Sequence, residues 1–300
     1  MALKQVKNKI VATKKTGQVT KAMEAVSAVK MRKSQERALQ GRPYIKSALR
    51  ILARIASANE TANNSFFKIG ESNKKLLVIV TSDKGLAGAV NSAVLKKTDE
   101  ILATSKDLSV VAIGRKAVEY KNRLGLDSFG EYVNVSDSVS VDDIEEITNT
   151  IIKKFEDGSH GTVEVVYQNF ISTFEQMPTV RKVLPLNPAE LNLMYQEIRV
   201  KNAKVAELAG QEKIVDYTVE PSAEEVWQTL IPQLIKIMIY HALIESKASE
   251  HSARMVAMKN ATDKSKELVK SLTIKYNKAR QAAITAEVSE ITAGAEAMKT

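Results

Sequence analysis

Few residues of this chain could do chemistry, and the first group is a glycine-containing stretch, SDKGLAGAVN (82–91). It follows a predicted strand, LLVIVTS (76–82), and opens a predicted helix, which is a position where backbone amide groups can bind phosphate. However, Gly85 and Gly88 match the spacing of neither a dinucleotide-binding fingerprint nor a P-loop. We therefore interpret the stretch as a tight strand-to-helix turn, with nucleotide binding as the alternative.

The acids and histidines form a second group, and they do not show the pattern of an active site. A cluster of carboxylates lies at the start of a predicted helix, where the helix dipole favours negative charge. Its members are Asp142, Asp143, Glu145 and Glu146. His160, His241 and His251 lack the spacing of metal ligands, and the chain has no cysteine. We expect no catalytic residue, no bound cofactor and no metal.

The net charge of +9 is unevenly distributed along the chain. Residues 1–58 hold 14 basic and two acidic residues, whereas residues 59–220 carry a net charge of −5 and residues 221–300 carry +2. A basic arm on an acidic body usually binds something acidic, either nucleic acid or an acidic protein surface. Since Tyr44 is the only aromatic residue of the arm and no nucleic-acid-binding motif accompanies it, we favour a protein partner.

The apolar stretches do not indicate a membrane-embedded protein. The most apolar run, residues 230–244, is shorter than a bilayer span and contains Pro232, Lys236 and His241. The basic N-terminal segment has no apolar core of the kind that a secretory signal requires. We therefore expect a chain that does not cross a membrane.

Both ends of the chain have apolar or small residues spaced by threes and fours, which predicts helices with one narrow buried face. At the N-terminal end these residues are Leu3, Val6, Ile10, Thr13, Thr20, Met23 and Val26. At the C-terminal end they are Met255, Met258, Thr262, Ser265, Val269, Leu272, Tyr276, Ala279, Ala283 and Ala286. The C-terminal helix is predicted to begin after Ser222, and residues 233–293 contain neither proline nor glycine. The two narrow faces can bury each other in an antiparallel coiled coil.

The middle of the chain alternates between short β-branched runs and amphipathic segments. Strands are predicted at 76–82, 109–114, 162–170 and 181–186, and helices at 88–104, 115–124 and 142–156. This alternation is typical of a mostly parallel sheet with helical crossovers. The predicted fold is α/β, a long antiparallel coiled coil of the terminal helices with an inserted Rossmann-like α/β domain. The predicted domains are residues 1–58, 75–215 and 221–300.

Three separated segments resemble one family, the gamma subunits of F-type, proton-translocating ATP synthases. YNKARQAAITAEVSEITAGAEA (276–297) is similar to the family signature, and SEHSARMVAMKNATDKS (249–265) is similar to the block before it. VTKAMEAVSAVKMRKSQ (19–35) resembles the N-terminal block, and residues 82–91 resemble its G-L-C-G turn with Ala87 in place of the cysteine. The likeness extends over nearly the whole chain and is loosest over 115–215.

The resemblance implies the central rotor shaft of an ATP synthase, which couples proton flow through the membrane sector to ATP synthesis. The implied partners are the alpha and beta subunits, which form a hexamer around the shaft, the epsilon subunit and the ring of c subunits, with one copy of this chain per complex. Catalysis would belong to the alpha and beta subunits. No nucleic acid and no small-molecule substrate of the chain itself is implied. The implied location is the cytoplasmic face of a bacterial plasma membrane.

The resemblance also implies which residues meet other subunits. Residues that match rotor–stator contact positions are Lys21, Met23, Lys30, Arg32, Arg254, Arg280, Gln281, Thr285 and Glu287. Tyr217 and Glu220 match positions that face the c ring and the epsilon subunit. The competing hypothesis is a standalone nucleotide-binding α/β protein with helical oligomerisation arms.

Overall fold

The structure is a computed structural model whose described residues contain five α-helices, five strands and two short 3₁₀-helices, Ser65–Phe67 and Asp142–Ile144. It describes residues 3–57, 65–68, 70, 72–105, 107–187 and 223–298. The helices are α1 (Leu3–Ser57), α2 (Val90–Thr104), α3 (Arg115–Leu124), α4 (Glu145–Glu156) and α5 (Ala223–Ala297). The strands are β1 (Lys75–Val80), β2 (Leu108–Ile113), β3 (Ser128–Tyr132), β4 (Thr162–Phe170) and β5 (Gln176–Leu184). Within these residues, no helix has both the length and the apolar character that crossing a bilayer requires.

The chain divides into two compact units. A coiled-coil unit consists of residues 1–28 and 254–300, and an α/β unit consists of residues 29–253. The long helices α1 and α5 each contribute residues to both units. The predicted division into three segments, 1–58, 75–215 and 221–300, stays a prediction about domains.

In the coiled-coil unit the two terminal helices pack in antiparallel orientation, as predicted. The hydroxyl oxygens of Thr20 and Thr262 are 2.7 Å apart. Three residues earlier on α1, a Cβ on Gly17 would lie 3.2 Å from the Cβ of Ser265, which is three residues later on α5. Since one number falls as the other rises, the helices run in opposite directions, and residue n of α1 lies level with residue 282 − n of α5.

The seam of the coiled coil follows the predicted spacing with two corrections. Val26 was expected in the seam but is 55% exposed, and Ser27 is buried in its place. Because an α-helix has 3.6 residues per turn, the residue that follows Met23 on the same face is here four positions later rather than three. Ala283 and Ala286 were also expected in the seam and are exposed. They lie beyond the level of Leu3, where the described part of α1 begins, so α1 offers them no partner.

The α/β unit contains a five-stranded sheet in the order β3-β2-β1-β4-β5. Strands β1 to β4 are parallel, and β5 pairs with β4 in antiparallel orientation. This confirms the predicted mostly parallel sheet. Two edge strands differ from the prediction. Strand β3 was not predicted, because Gly130 and its half-exposed neighbours weaken the strand pattern, and β5 begins at Gln176, before Pro178, a residue that argues against a central strand.

Side chains of the central strands alternate between two apolar clusters, one on each face of the sheet. Leu76, Val78 and Val80 pack with α4 and with the first part of α5, whereas Leu77 and Ile79 pack with α2 and α3. The buried apolar residues of α5 on the first face are Trp227, Ile231, Leu234, Ile235, Ile237, Met238, Ile239, Ala242, Leu243 and Ile244. Fully burying each large apolar side chain contributes about 1.5–3 kcal/mol, so apolar packing fixes this segment of α5 to the sheet.

The carboxyl end of β2 approaches β1 so closely that only glycine fits there. Gly114 has a φ of +88°, and a Cβ on it would lie 2.2 Å from the carbonyl oxygen of Thr81. The Thr81 hydroxyl donates to the carbonyl of Ile113 and accepts from the backbone N–H of Ala117 in the first turn of α3. This crossing point therefore joins β1, β2 and α3.

We predict that Gly114→Ala strongly destabilises the α/β unit, because it combines backbone strain with a clash against backbone atoms. The loss in free energy of unfolding should be about 3 kcal/mol or more. Gly125→Ala is the matched control, since Gly125 has a φ of +65° and open space around its Cβ position; it should cost only about 1–2 kcal/mol. Urea unfolding followed by fluorescence of the single tryptophan, the buried Trp227, measures both. Equal losses would contradict the clash.

Candidate functional site

The far end of α5 is a single exposed helix. Every side chain described between residues 280 and 297 is exposed, including Ile284, Val288 and Ile291. Because the described part of α1 begins level with Ala279, it has no residue beside this segment. At 1.5 Å per residue, α5 extends about 27 Å beyond that level. This end is only as wide as one helix.

Four predicted contact residues lie on this exposed end. Arg280, Gln281, Thr285 and Glu287 are all exposed, and the Thr285 hydroxyl donates to the backbone carbonyl of Gln281 at 3.0 Å. This bond leaves one face of the Thr285 side chain occupied by its own helix. The arginine, amide and carboxylate groups are all directed to solvent and available for contact.

The other predicted contact residues lie lower on the two long helices. In the coiled-coil unit, Lys21 is exposed, Met23 is partly buried and Arg254 is 7% exposed. In the α/β unit, Arg32 is exposed, whereas Lys30 is partly buried and forms an ion pair. Within the coiled-coil unit, Arg254 and Arg280 are about 39 Å apart along α5, so these two predicted residues do not belong to one compact site.

Between the levels of Arg254 and Arg280, the coiled coil carries a band of exposed lysines. The antiparallel register places residues 3–12 of α1 level with residues 270–279 of α5, and neither segment contains an acid. The exposed lysines of the band are Lys4, Lys7, Lys9, Lys270, Lys275 and Lys278. Six positive charges within about 15 Å of helix favour an acidic partner surface.

The carboxyl edge of the sheet, where α/β folds bind ligands, is covered by the chain's own α5. Leu243, Ser246, Lys247 and Glu250 face the ends of β1 and β2 there, and the Ser249 hydroxyl donates to a carbonyl of β4. The remaining gap has a volume of about 240 Å³ including the solvent at its mouth. Small-molecule sites usually have volumes of about 300–1,000 Å³. The gap is too small for a nucleotide.

The glycine-containing turn and the α3 N-terminus also bind their own chain rather than expose a phosphate cradle. Asn91 Oδ1 accepts from the backbone N–H of Ser82 at 3.0 Å, and Asp83 Oδ1 accepts from the N–H of Arg115 at 3.0 Å. A carboxylate thus stands at the first turn of α3, where an anionic ligand would bind. This geometry supports the prediction of a tight turn and counts against the nucleotide-binding alternative.

The surroundings of the histidines and of the acidic cluster fit a structural role. His160, His241 and His251 are all buried, and burial lowers the pKa of His160, with the nearby Lys74 charge acting in the same direction. Asp143 accepts from the backbone N–H of Ser140 at 2.7 Å, which lowers the pKa of its carboxyl group. No group of three or more metal-ligating side chains occurs within the described residues.

The sequence analysis did not predict a cluster around Asp137, and one pair of predicted contact residues lies outside the described residues. Asp137, in the loop between β3 and α4, binds Lys30 of α1 and His251 of α5. The only sequence signal was a lone acid in a serine-rich stretch, which does not indicate its partners. Tyr217 and Glu220, predicted to face the c ring and the epsilon subunit, lie outside the described residues.

Comparison with known proteins identifies relatives along the whole chain. The family model described as ATP synthase matches residues 2–298. A protein described as ATP synthase gamma chain, from Pelotomaculum thermopropionicum, is 38% identical over 299 residues, which cover 99% of each chain. An identity of this size over the full length of both chains shows common family membership.

Solved structures share the fold. The rotor of the Euglena gracilis mitochondrial ATP synthase matches with a TM-score of 0.62 and 17% identity, over 94% of this chain and 98% of that one. The central stalk and c ring structure of the Tetrahymena thermophila mitochondrial ATP synthase matches with a TM-score of 0.58 and 23% identity, over 81% of this chain and 99% of that one. The family match, the full-length relative and the coiled-coil fold agree, and the chain belongs to the family of ATP synthase gamma chains.

Proposed function

We propose that this chain is the central rotor shaft of an F-type ATP synthase, coupling proton flow through the membrane sector to ATP synthesis in the alpha–beta hexamer. The observation that carries the proposal is the single exposed helix at the end of α5. A helix of about 27 Å without a described partner from its own chain is shaped to enter a narrow cavity in another protein. We assign that cavity to the alpha–beta hexamer, and membership of the ATP synthase gamma chain family supports this assignment.

The side chains of this end suit a surface that turns against its partner. Small residues dominate one stretch, with Ala282, Ala283 and Ala286 exposed between isolated larger side chains such as Ile284 and Val288. A wide apolar stripe would favour one orientation strongly. A narrow and partly polar surface keeps several orientations close in free energy, which rotation requires.

The charged contact residues fit the same role. Exposed ion pairs contribute only about 0–1 kcal/mol each, so contacts from Lys21, Arg32 or Arg280 to acidic groups of the stator can break and re-form in each turn. The band of lysines on the coiled coil adds positive charge along the shaft. Met23, Lys30, Arg254, Gln281, Thr285 and Glu287 complete the proposed set of contact residues.

The α/β unit is assigned to the rotor side of the machine. We place the epsilon subunit and the ring of c subunits at this unit, with Tyr217 and Glu220 as their proposed contacts. The chain itself contributes no catalytic group, and the reaction belongs to the alpha and beta subunits. The complex is proposed to lie at the cytoplasmic face of a bacterial plasma membrane, with this chain as a peripheral subunit.

A reconstitution experiment tests the function. The complex is assembled with and without this chain, together with its own alpha, beta and epsilon subunits and membrane sector, and placed in lipid vesicles. Only the complex with the chain should make ATP from an imposed proton gradient. Purification of the chain as a monomer that binds nucleotide and does not join alpha and beta would contradict the proposal.

We predict that deleting residues 290–300 leaves folding and assembly intact and reduces rotary activity without abolishing it. The deletion removes little buried apolar surface, since Ile291 is 67% exposed and Met298 is 90% exposed. The buried Met258 and Leu272 of the seam remain. Co-purification with alpha and beta measures assembly, and ATP hydrolysis by the complex measures activity.

A longer deletion is the control for this prediction. Removing residues 267–300 takes away the buried Leu272 and the partly buried Val269 and Tyr276, which lie beside the first turns of α1. This variant should fail to assemble. If the short deletion alone prevents assembly, the end of α5 is an anchor and its small residues have another explanation.

We also predict that enlarging the exposed end slows rotation. The double substitution Ala283→Leu with Ala286→Leu keeps good helix formers, and each leucine can bury apolar area worth up to about 1.5–3 kcal/mol in a favoured orientation. ATP hydrolysis by the assembled complex should fall about threefold or more, because each favoured orientation must be left in every turn. Ala283→Ser with Ala286→Ser is the matched control and should retain activity. Equal activity of both variants would contradict a low-friction role.

A further inference from the structure

In the loop between β3 and α4, residues 133–141, a single residue contacts both terminal helices. Asp137 Oδ2 accepts from Lys30 Nζ of α1 at 2.6 Å, and Asp137 Oδ1 lies 3.0 Å from His251 Nε2 of α5. The backbone carbonyl of Asp137 accepts from Arg37 Nη1 of α1 at 2.6 Å. Asp137 therefore has hydrogen bonds to two residues of α1 and to one residue of α5, and all of these residues belong to the α/β unit.

Lys247 of α5 strengthens the attachment of the same loop. Lys247 Nζ donates to the backbone carbonyl of Val135 at 2.9 Å and lies 3.9 Å from Asp137 Oδ1. The side chains of Lys247 and His251 are 9% and 3% exposed, so the α5 side of the cluster is shielded from water. Hydrogen bonds are stronger where water is excluded. The hydrogen bonds from α5 to the loop are therefore the stronger contacts of the cluster, and the hydrogen bond from the partly exposed Lys30 of α1 is the weaker one.

The carboxylate of Asp137 is held in its ionised form. The contact with His251 is the largest cause of a strongly lowered pKa for Asp137, and Lys30 and Lys247 act in the same direction while burial opposes them. An ionised carboxylate only accepts hydrogen bonds, so His251 must carry a proton on Nε2 to bind it. The cluster therefore has one fixed donor–acceptor pattern.

On α5, the cluster lies just after the segment whose apolar residues pack against the sheet. Residues up to Ile244 pack into the apolar cluster of the sheet, whereas the buried residues that follow are mostly polar. They include Ser252, whose hydroxyl donates to the carbonyl of Thr173 at 2.6 Å. Apolar packing has no preferred direction, but hydrogen bonds require defined distances and angles. Polar contacts therefore resist a twist of the helix more sharply than the apolar contacts below them.

We propose that Asp137 is a positioning residue that locks α1 and α5 to the α/β domain at one point, so that torque applied to the domain reaches both helices together. The inference rests on the proposed function, because it assigns the residue through which the shaft receives its torque. Lys30, predicted as a stator contact, has this second role inside the chain.

Amide hydrogen exchange in the assembled complex tests the lock itself. Asp137→Asn keeps the shape of the side chain and removes its charge, and exchange should rise about tenfold in both α1 around residues 30–37 and α5 around residues 247–251. Asp127→Asn is the matched control, because Asp127 binds Ser109 and Lys74, which lie on neither terminal helix. It should leave both segments unchanged. A rise in only one helix would overturn the proposal.

A second variant tests whether the two helices communicate through Asp137. Lys30→Met removes a partly exposed cation from α1, and it should raise exchange in α5 around His251 when Asp137 is present. In the Asp137→Asn background the same substitution should have no further effect on α5. An equal effect in both backgrounds would show that the helices do not depend on each other through Asp137, and the proposal would be wrong.

Hydrolysis-driven proton pumping tests the transmission of torque. In vesicles containing the complex, Asp137→Asn should lower the number of protons pumped per ATP about three- to tenfold, because the shaft yields under load. ATP hydrolysis by the same complex detached from the membrane should be retained, since no load acts there. Unchanged pumping together with raised exchange would overturn the role in torque. Failure of the native chain to support pumping would instead contradict the proposed function.

Discussion

The hydrogen bond between Thr20 and Thr262 joins positions 242 residues apart. It belongs to the antiparallel pairing of α1 and α5, and this pairing constrains how the residues between the two positions can fold. Small residues at this level, with Gly17 facing Ser265, let the two backbones approach closely. Because the ends of the chain must meet side by side, residues 29–253 form an insertion that leaves one helix and returns through its neighbour. Both α1 and α5 continue from the coiled-coil unit into this insertion.

The helix α5 changes its surface along its length, and each surface suits a different task. Apolar residues of the segment 227–244 pack against the sheet, and residues 245–252 are buried but mostly polar. In the coiled-coil unit the buried positions are sparse, with Met258, Thr262 and Leu272 among them. From Arg280 onward, every side chain that the structure describes is exposed. Along α5, a segment that packs against the sheet is thus followed by a buried polar segment, then by a segment paired with α1, and finally by an exposed end.

The α/β domain shows why a fold does not by itself identify a function. Its mostly parallel sheet has the carboxyl edge that ligand-binding relatives of this architecture use. Here that edge is covered by polar residues of α5, and Asp83 caps the N-terminus of α3. The edge is thus an attachment site for α5. The backbone N–H of Arg115 and the Lys247 ammonium, which could bind an anion near this edge, donate hydrogen bonds to the protein itself.

The sequence by itself determined the two long helices, their narrow seams and the strand–helix alternation, because these depend on periodicities that local spacing reveals. Seam positions such as Val6, Thr20 and Thr262 were identified in this way, and the family motifs indicated the function. Strand β3 and the start of β5 at Gln176 were not predicted, because edge strands that contain Gly130 and Pro178 lack a strong local pattern. Only the tertiary structure joined Asp137 to Lys30 and His251, because these contacts link residues more than 100 positions apart and no local spacing encodes them.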